Sequence, residues 1–482
     1  MKLSASHRIF GSTDPGLLYC GQYCGLYRGI CDLTTGSANR ISACIACHFM
    51  NNPGLCSGKS VSIVEGIVAD KTILIVGTYD TKNDELEYMA ERITALGGAV
   101  LTMDISVLGD PLKPIQLSKH EVAEAGGSSI QAAIDSGDEN TAMQIMAVGA
   151  STLAKRLHEQ GKIDGVVILG GTMGTDAALD VCQALPLGVP KYIVSTVSFS
   201  PLIPPDRLSA DIQMILWAGG LYGLNSVCKA SLSQAAGAVL GAARAVEKPS
   251  GDKPTVGMTS LGSSCLKYMK LLKPALEERG FEVAIFHATG MGGMAYESIA
   301  ANNGFVCVMD FALPELGNLL AGSVVHGGED RMLNAGRAGI PQLVAPGCLD
   351  LIDFAGWQDI PEQYQDRPFH AHNRLIKSSG LNGEERRETA REIARRLNQS
   401  DTPAHVILTN QGIEEWDKPG DVAHDPEAFA EFCDEMRRVM TDPIAFTELD
   451  CHINDQAFAD QVLQLFDGWV ADGTVKTVVT PG

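Results

Sequence analysis

No stretch of this 482-residue chain reaches the roughly 18–20 consecutive apolar residues that a membrane-spanning helix requires. The N-terminus also lacks the basic segment followed by an apolar block that marks an export signal. A soluble, cytoplasmic protein is therefore the expectation. Basic residues are scarce too: 37 Lys and Arg stand against 58 Asp and Glu, a net charge of −21. A nucleic-acid-binding surface needs clustered Lys and Arg, so no nucleic-acid partner is expected. Much of the deficit is local, because residues 401–482 carry 17 acids and 4 bases, a net −13. That pattern reads as a solvated helical surface, with a docking face for a basic partner as the alternative. No G-x-S-x-G elbow is present, which removes the usual serine-hydrolase arrangement. Cysteine is not rare, but the 13 residues are odd in number, and the seven in the long body follow no disulfide-framework spacing.

What the chain does have is glycine, 51 residues of it, which suits many strand-to-helix turns. Its length exceeds one ordinary core, so two domains and a tail are expected. The first 70 residues do not match the rest. They hold Cys20, Cys24, Cys31, Cys44, Cys47 and Cys56 and show little helix or strand periodicity. Cys44-Ile-Ala-Cys47-His48 fits covalent haem attachment, but that chemistry needs export; a zinc site would need one more cysteine. The segment is read instead as a disordered or spurious leader, with a transit peptide as the alternative.

From residue 71 the pattern becomes regular. An apolar strand over 72–77, a helix over 83–97 and a strand over 99–104 form a β-α-β unit, and Ser118-x-x-Glu121 reads as a capping box. A long helix over 138–160, strands at 164–169 and 191–196, and an Ala-rich helix over 229–247 complete a first half; residues 201–211 are read as a loop. Lys248 to Pro254 is the interdomain linker. The pattern then restarts at 255–259, 263–279 and 282–287 and continues alternating to a last helix over 455–470. Near-continuous apolar strands alternating with helices mean parallel sheets covered on both faces. The expected architecture is therefore α/β: two Rossmann-like, doubly wound domains, 71–248 and 255–482, facing across a cleft. A homodimer is expected.

Ligands of such sheets bind beyond the carboxyl ends of the strands. In the first half those ends carry Gly77, Thr78, Asp80, Thr81 and Lys82, then Asp104, then Gly170, Gly171, Thr172, Gly174 and Thr175. Residues 72–82 are neither a Walker A loop nor a G-x-G-x-x-G fingerprint. Even so, loop N–H groups and Lys82 suit phosphates, and Asp80 or Asp104 suits Mg²⁺ or a ribose. Turn, capping and surface roles are the alternatives for Asp80 and Lys82. In the second half His287 leaves a strand into Thr289, Gly290, Gly292 and Gly293, with Gly327 and Gly328 on a later turn. His287 is a candidate acid/base and the glycines a candidate substrate-anion site; a structural histidine is the alternative. His370 and His372 form an H-x-H pair able to chelate a metal if a third ligand joins them. Cys265 and Cys348 read as buried small residues rather than activated thiols.

Five motifs in order, Val76–Lys82, Gly170–Thr175, Phe286–Gly293, Ala345–Asp350 and His452–Asp455, carry a resemblance over about residues 71–470. The chain resembles an uncharacterised protein family typified by the ATP-binding N-terminal region of a tomato mosaic virus resistance protein. That resemblance implies two Rossmann-like subdomains and ATP binding, carried onto Gly77, Thr78, Asp80, Thr81, Lys82 and the Gly170–Thr175 loop. It does not carry the antiviral role, and this chain has no room for that protein's further C-terminal barrel-like domain. The expectation is an ATP-binding protein, with Mg²⁺, acting as an enzyme on a small anionic substrate held in the interdomain cleft. A nucleotide-gated binding module is the first alternative and a metal-dependent hydrolase or lyase the second.

Overall fold

The computed structural model describes residues 71–477 apart from 205–206, 209, 221–222, 248–251 and 422. The expectations for the leader, its Cys44–His48 motif and most of the linker lie outside the described residues. All described residues belong to one compact unit, Ile67–Gly482.

The N-terminal half is built on β1 (Thr72–Gly77), β2 (Ala99–Asp104), β3 (Gly165–Gly170), β4 (Lys191–Ser195) and β5 (Ile212–Leu216). Its helices are α1 (Asn83–Ala95), α2 (Lys119–Ala125), α3 (Ile130–Asp135), α4 (Glu139–Glu159), α5 (Thr172–Gln183) and α6 (Ser226–Ala245). The strands are parallel and ordered β2-β1-β3-β4-β5. Along β1 the side chains alternate between two apolar layers. Leu74 and Val76 pack with α2, α4 and α5, while Ile73 and Ile75 pack with α1 and α6. A strand buried on both faces has no polar side, which is why it reads as one apolar run. The capping box at Ser118 and Glu121 forms as the spacing predicts. The expected loop over 201–211 leads into an unanticipated strand, β5. It lies at the sheet edge and is only half-buried, so its pattern is weak.

The C-terminal half has β6 (Thr255–Ser260), β7 (Glu282–His287), β8 (Cys307–Asp310), β9 (Gln342–Val344), β13 (Ala404–Thr409) and β14 (Ala445–Leu449), parallel in the order β14-β13-β9-β8-β6-β7. Its helices are α7 (Leu266–Glu278), α8 (Met291–Ala301), α9 (Pro314–Leu320), α10 (Asn334–Arg337), α11 (Gly383–Leu397), α12 (Pro426–Val439) and α13 (Gln456–Ala471). Between β9 and α11 sits a small antiparallel sheet of β10 (Leu351–Ala355), β11 (His370–Ala371) and β12 (Ile376–Gly380). The sequence does not announce it: β11 is two exposed residues, and β12 ends in Ser-Ser-Gly. The fold class is thus as expected, two Rossmann-like α/β domains, with a third sheet added.

Helix packing makes one glycine indispensable and leaves another free. A Cβ on Gly149 of α4 would lie 1.9 Å from the Val122 carbonyl oxygen of α2, whereas one on Gly237 of α6 meets nothing within 4 Å. Gly149→Ala should therefore cost about 1–3 kcal/mol through forced separation of the helices. Gly237→Ala should instead add about 0.5–1 kcal/mol by restricting the unfolded chain. Chemical denaturation of the two variants checks both signs.

Candidate functional site

In the N-terminal domain the strand order reverses between β1 and β3, so the loops leaving these two strands diverge and open a crevice. A cavity of about 590 Å³ occupies it, lined by Thr78, Asp80, Thr81 and Lys82 on one side and Gly170–Gly174 on the other. The β1 loop is held from below by Asp104, whose Oδ1 accepts from the Tyr79 N–H (3.2 Å), the Ser106 N–H (2.9 Å) and the Ser106 hydroxyl (2.5 Å). The Asp80 N–H donates to the Ser106 hydroxyl oxygen at 3.1 Å, and Asp80 Oδ2 accepts from the Gly109 N–H at 3.3 Å. Its carboxylate is thereby fixed at the cavity wall. The Lys82 ammonium lies 5.8 Å from the centre of the buried Trp217 ring, which limits where it can reach.

The second wall is the start of α5. A Cβ on Gly170 would sit 2.5 Å from the Gly174 Cα, so the strand end and the first helical turn touch backbone to backbone. Gly171, at the N-cap, has no side chain to close over the helix start. The first amides of α5 consequently keep their donors and the positive end of the helix dipole. The sequence-predicted residues thus divide. Thr78, Asp80, Thr81, Lys82, Gly170, Gly171, Thr172 and Gly174 share the cavity wall. Gly77, Asp104 and Thr175 lie behind it: Gly77 lets Leu86 approach, and the Thr175 hydroxyl is held between the Gly171 carbonyl and Ser195 Oγ, 2.6 Å from each. Sequence reasoning missed Ser106, Val107, Ile134, Asp138 and Met143, which also line the cavity. They come from the β2 loop, α3 and the start of α4, where no motif marks them.

The glycine-rich turn of the C-terminal domain is built differently. The N–H groups of Gly290 and Gly293 donate to Glu315 Oε1 at 2.6 and 3.0 Å, so a carboxylate of the protein itself sits on the start of α8. Glu315 is held in turn by Arg331 Nε at 2.8 Å. The same fully buried guanidinium donates to Asp310 at 2.5 and 2.7 Å and to Glu297 at 3.3 Å. Burial pushes Glu297 up to about 7 against the pull of Arg331. A Cβ on Gly293 would overlap Glu315, one on Gly292 the His287 carbonyl, and one on Gly327 the Arg331 side chain. Gly293 and Gly327 thus admit the internal ion network, and Gly292 the close approach of the β7 end. Gly328 donates its N–H to His326 Nδ1 at 3.0 Å. His287 stays exposed at the end of β7, its Nδ1 3.0 Å from Thr289 Oγ1.

His370 and His372 both lie against Trp416, with ring centres 5.3 and 5.8 Å away. Among the described residues, no group of three or more His, Cys, Asp or Glu is placed to hold a metal. Cys265 and Cys348 are buried with sulfurs 3.3 Å apart, and burial pushes the Cys348 thiol well up, away from thiolate chemistry. The His452–Asp455 motif ties loops together: His452 Nε2 bonds the Glu414 carbonyl at 2.9 Å and Asn454 Nδ2 donates to the Ser264 carbonyl at 2.7 Å.

Two Rossmann-like α/β domains in one chain, each presenting polar groups at the carboxyl ends of its parallel strands, define the class of protein. The chain belongs to the uncharacterised protein family UPF0261, whose N-terminal domain matches residues 71–248 and whose C-terminal domain matches residues 253–470. A UPF0261 protein of Brucella melitensis is 55% identical over 403 residues, 84% of this chain and 96% of that protein. One from Clostridium tetani is 32% identical over 81% of this chain and 96% of its own length. The ToMV resistance protein Tm-1(GCR237) of Solanum lycopersicum is 27% identical over 82% of this chain, which spans 55% of the tomato protein. Among solved structures, a UDP-GlcNAc 2-epimerase of Methanocaldococcus jannaschii is 10% identical over 57% of this chain and 83% of that chain, with a TM-score of 0.19. A likeness at that score carries no argument.

Buried acids give this domain a pH signature. Burial, then the neighbouring Asp350 carboxyl, push Glu414 from 4.5 up to about 10. The folded protein thus keeps a proton there that the unfolded chain has released above about pH 4.5, and this group's contribution falls as pH rises toward 10. The slope is about 1.4 kcal/mol per pH unit. Glu414→Gln should remove that slope, so thermal unfolding between pH 7 and pH 9 should show a smaller loss of Tm than the parent.

Proposed function

We propose that the N-terminal domain binds ATP together with Mg²⁺, and that the protein uses it as an enzyme of small-molecule metabolism. One observation carries the reading: the Thr78–Lys82 and Gly170–Gly174 loops line a single cavity at the β1/β3 reversal, with an uncapped helix start in its wall. Its volume of about 590 Å³ falls within the range of about 300–1,000 Å³ common to small-molecule sites. The amides at the start of α5 and Lys82 suit phosphate oxygens, and the Asp80 carboxylate suits Mg²⁺ held between protein and phosphates. Leu108 and Met173, exposed and apolar on the same wall, suit the flat face of a base. The exposed His287 and the half-buried Thr289, at the end of β7, are the groups left to meet an anionic substrate in the C-terminal domain. Transfer between the two would rest on electrostatic stabilisation of the moving group.

A second reading, a nucleotide-gated binding module without catalysis, draws on the Gly290–Gly293 turn. Its Gly290 and Gly293 amides already hold Glu315, so these two donors are not available to a substrate.

Calorimetric titration of the full chain with ATP and Mg²⁺ tests the pocket. A Cβ on Gly171 meets only Thr196 Oγ1, at 3.8 Å, so Gly171→Val fills the cavity without disturbing the backbone. Binding should weaken at least tenfold, roughly 1.4 kcal/mol, in both Gly171→Val and Lys82→Ala. Unchanged affinity in both variants places the nucleotide elsewhere.

A further inference from the structure

We propose that the pocket around Arg386, in the C-terminal domain, is a binding site for the carboxylate or phosphate group of a small anionic metabolite. The proposal stands independently of the nucleotide reading.

The pocket, about 280 Å³, lies between the end of β12, the start of α11 and the segment before α12; Arg367, Ser379, Gly380, Asn382, Arg386 and Asp425 are in its wall. Arg386 is 2% exposed, yet it has no salt bridge among the described residues. Its Nε donates to the Leu381 carbonyl at 3.0 Å and its Nη2 to the Ala423 carbonyl at 3.4 Å. A guanidinium has five N–H donors, so two carbonyls leave most of the fork unused. Removing a charge from water costs several kcal/mol unless an opposite charge and hydrogen bonds replace the solvent. Here the protein supplies neither in full, and the unused donors belong to a side chain in the pocket wall.

The other charged groups around the pocket are already satisfied. Arg367 clamps Glu385 through two bonds of 2.7 Å, which makes that pair internally neutral. Asp425 accepts the Ala428 N–H at 3.0 Å as the cap of α12, where the helix dipole offsets its charge. At the start of α11 the Asn382 and Glu385 N–H groups are taken by their own capping box. Asp350 is the carboxyl whose charge Arg386 feels, and burial pushes it up to about 7 even against that pull. Near neutral pH it therefore carries less than a full negative charge. What is left with unused donors is the planar guanidinium of Arg386, and its fork matches the two parallel oxygens of a carboxylate or phosphate. A volume of about 280 Å³ suits a few-carbon acid or a free phosphate.

The test is calorimetric titration of the full-length protein, without nucleotide, using inorganic phosphate and, separately, malonate. Two variants probe the pocket. Arg386→Lys keeps the charge and loses the fork. Gly380→Val adds bulk where a Cβ meets nothing within 4 Å, and so secures the test if replacing Arg386 impairs folding. Gly171→Val, in the other domain, controls for anion binding at the start of α5. At least one of the two anions should bind the parent protein and Gly171→Val alike. That binding should weaken at least tenfold in Gly380→Val, and likewise in Arg386→Lys where it folds. Whichever anion binds more tightly names the group recognised. No binding of either anion overturns the proposal, as does binding that survives Gly380→Val or disappears only in Gly171→Val.

Discussion

The buried guanidinium of Arg331 is the constraint around which the C-terminal domain is arranged. It joins Asp310 at the end of β8, Glu315 on α9 and Glu297 on α8, and through Glu315 it reaches the amides that begin α8. Three elements and one glycine-rich turn thus share one charge. Four ionisable groups out of water are tolerable only because each carries hydrogen bonds as well as a partner. Burial raises Glu297 to about 7 and raises Glu315 as well, which relieves part of the surplus of negative charge. A glycine-rich turn that would serve as an anion site in an isolated β-α unit becomes here an internal joint.

The helix starts at the strand ends meet three different fates, and these decide where ligands can go. At α8 the Gly290 and Gly293 amides are filled from within by Glu315. At α11 the cap is local: Asn382 Oδ1 accepts the Glu385 N–H at 3.0 Å. At α5 no side chain covers the first amides, because the N-cap is Gly171. Glycine-rich stretches carrying a threonine, Gly170–Thr175 and Thr289–Gly293, open both α5 and α8. What separates them is a carboxylate from a distant part of the chain, 25 residues beyond Gly290.

That distance explains what the sequence could and could not disclose. Strand periodicity, the alternation of strands with helices and the restart after residue 254 are local signals, and they gave both parallel sheets except the edge strand β5, and the longer helices to within a few residues. The cavity wall was legible where glycine and threonine cluster at a strand end, from Thr78 to Lys82 and from Gly170 to Gly174. Ser106 and Met143 were not, since their place on the wall depends on how the β2 loop and α4 return to the crevice. The antiparallel sheet was hidden by strands too short and polar to show a period, such as His370–Ala371. Glu315 and Arg331 were hidden for a deeper reason: a charged residue in a helix or loop reads as solvent-facing until its partner is known.

Arg331 and Arg386 pose the same problem with opposite solutions. Both guanidiniums are removed from water, at 0% and 2% exposure, and both lie in the C-terminal domain. Arg331 meets three carboxylates and a carbonyl and closes its site completely. Arg386 meets two carbonyls, and the carboxyl whose charge it feels is itself held toward neutrality by burial. A fold able to surround one arginine with acids could have done so for the other, and the acid-rich composition of the chain makes carboxylates the easiest residues to supply. Leaving Arg386 short of acceptors costs stability, and the open volume beside it is where a ligand would repay that cost. The contrast between the two arginines, more than either alone, marks the second as a place for something the chain does not itself provide.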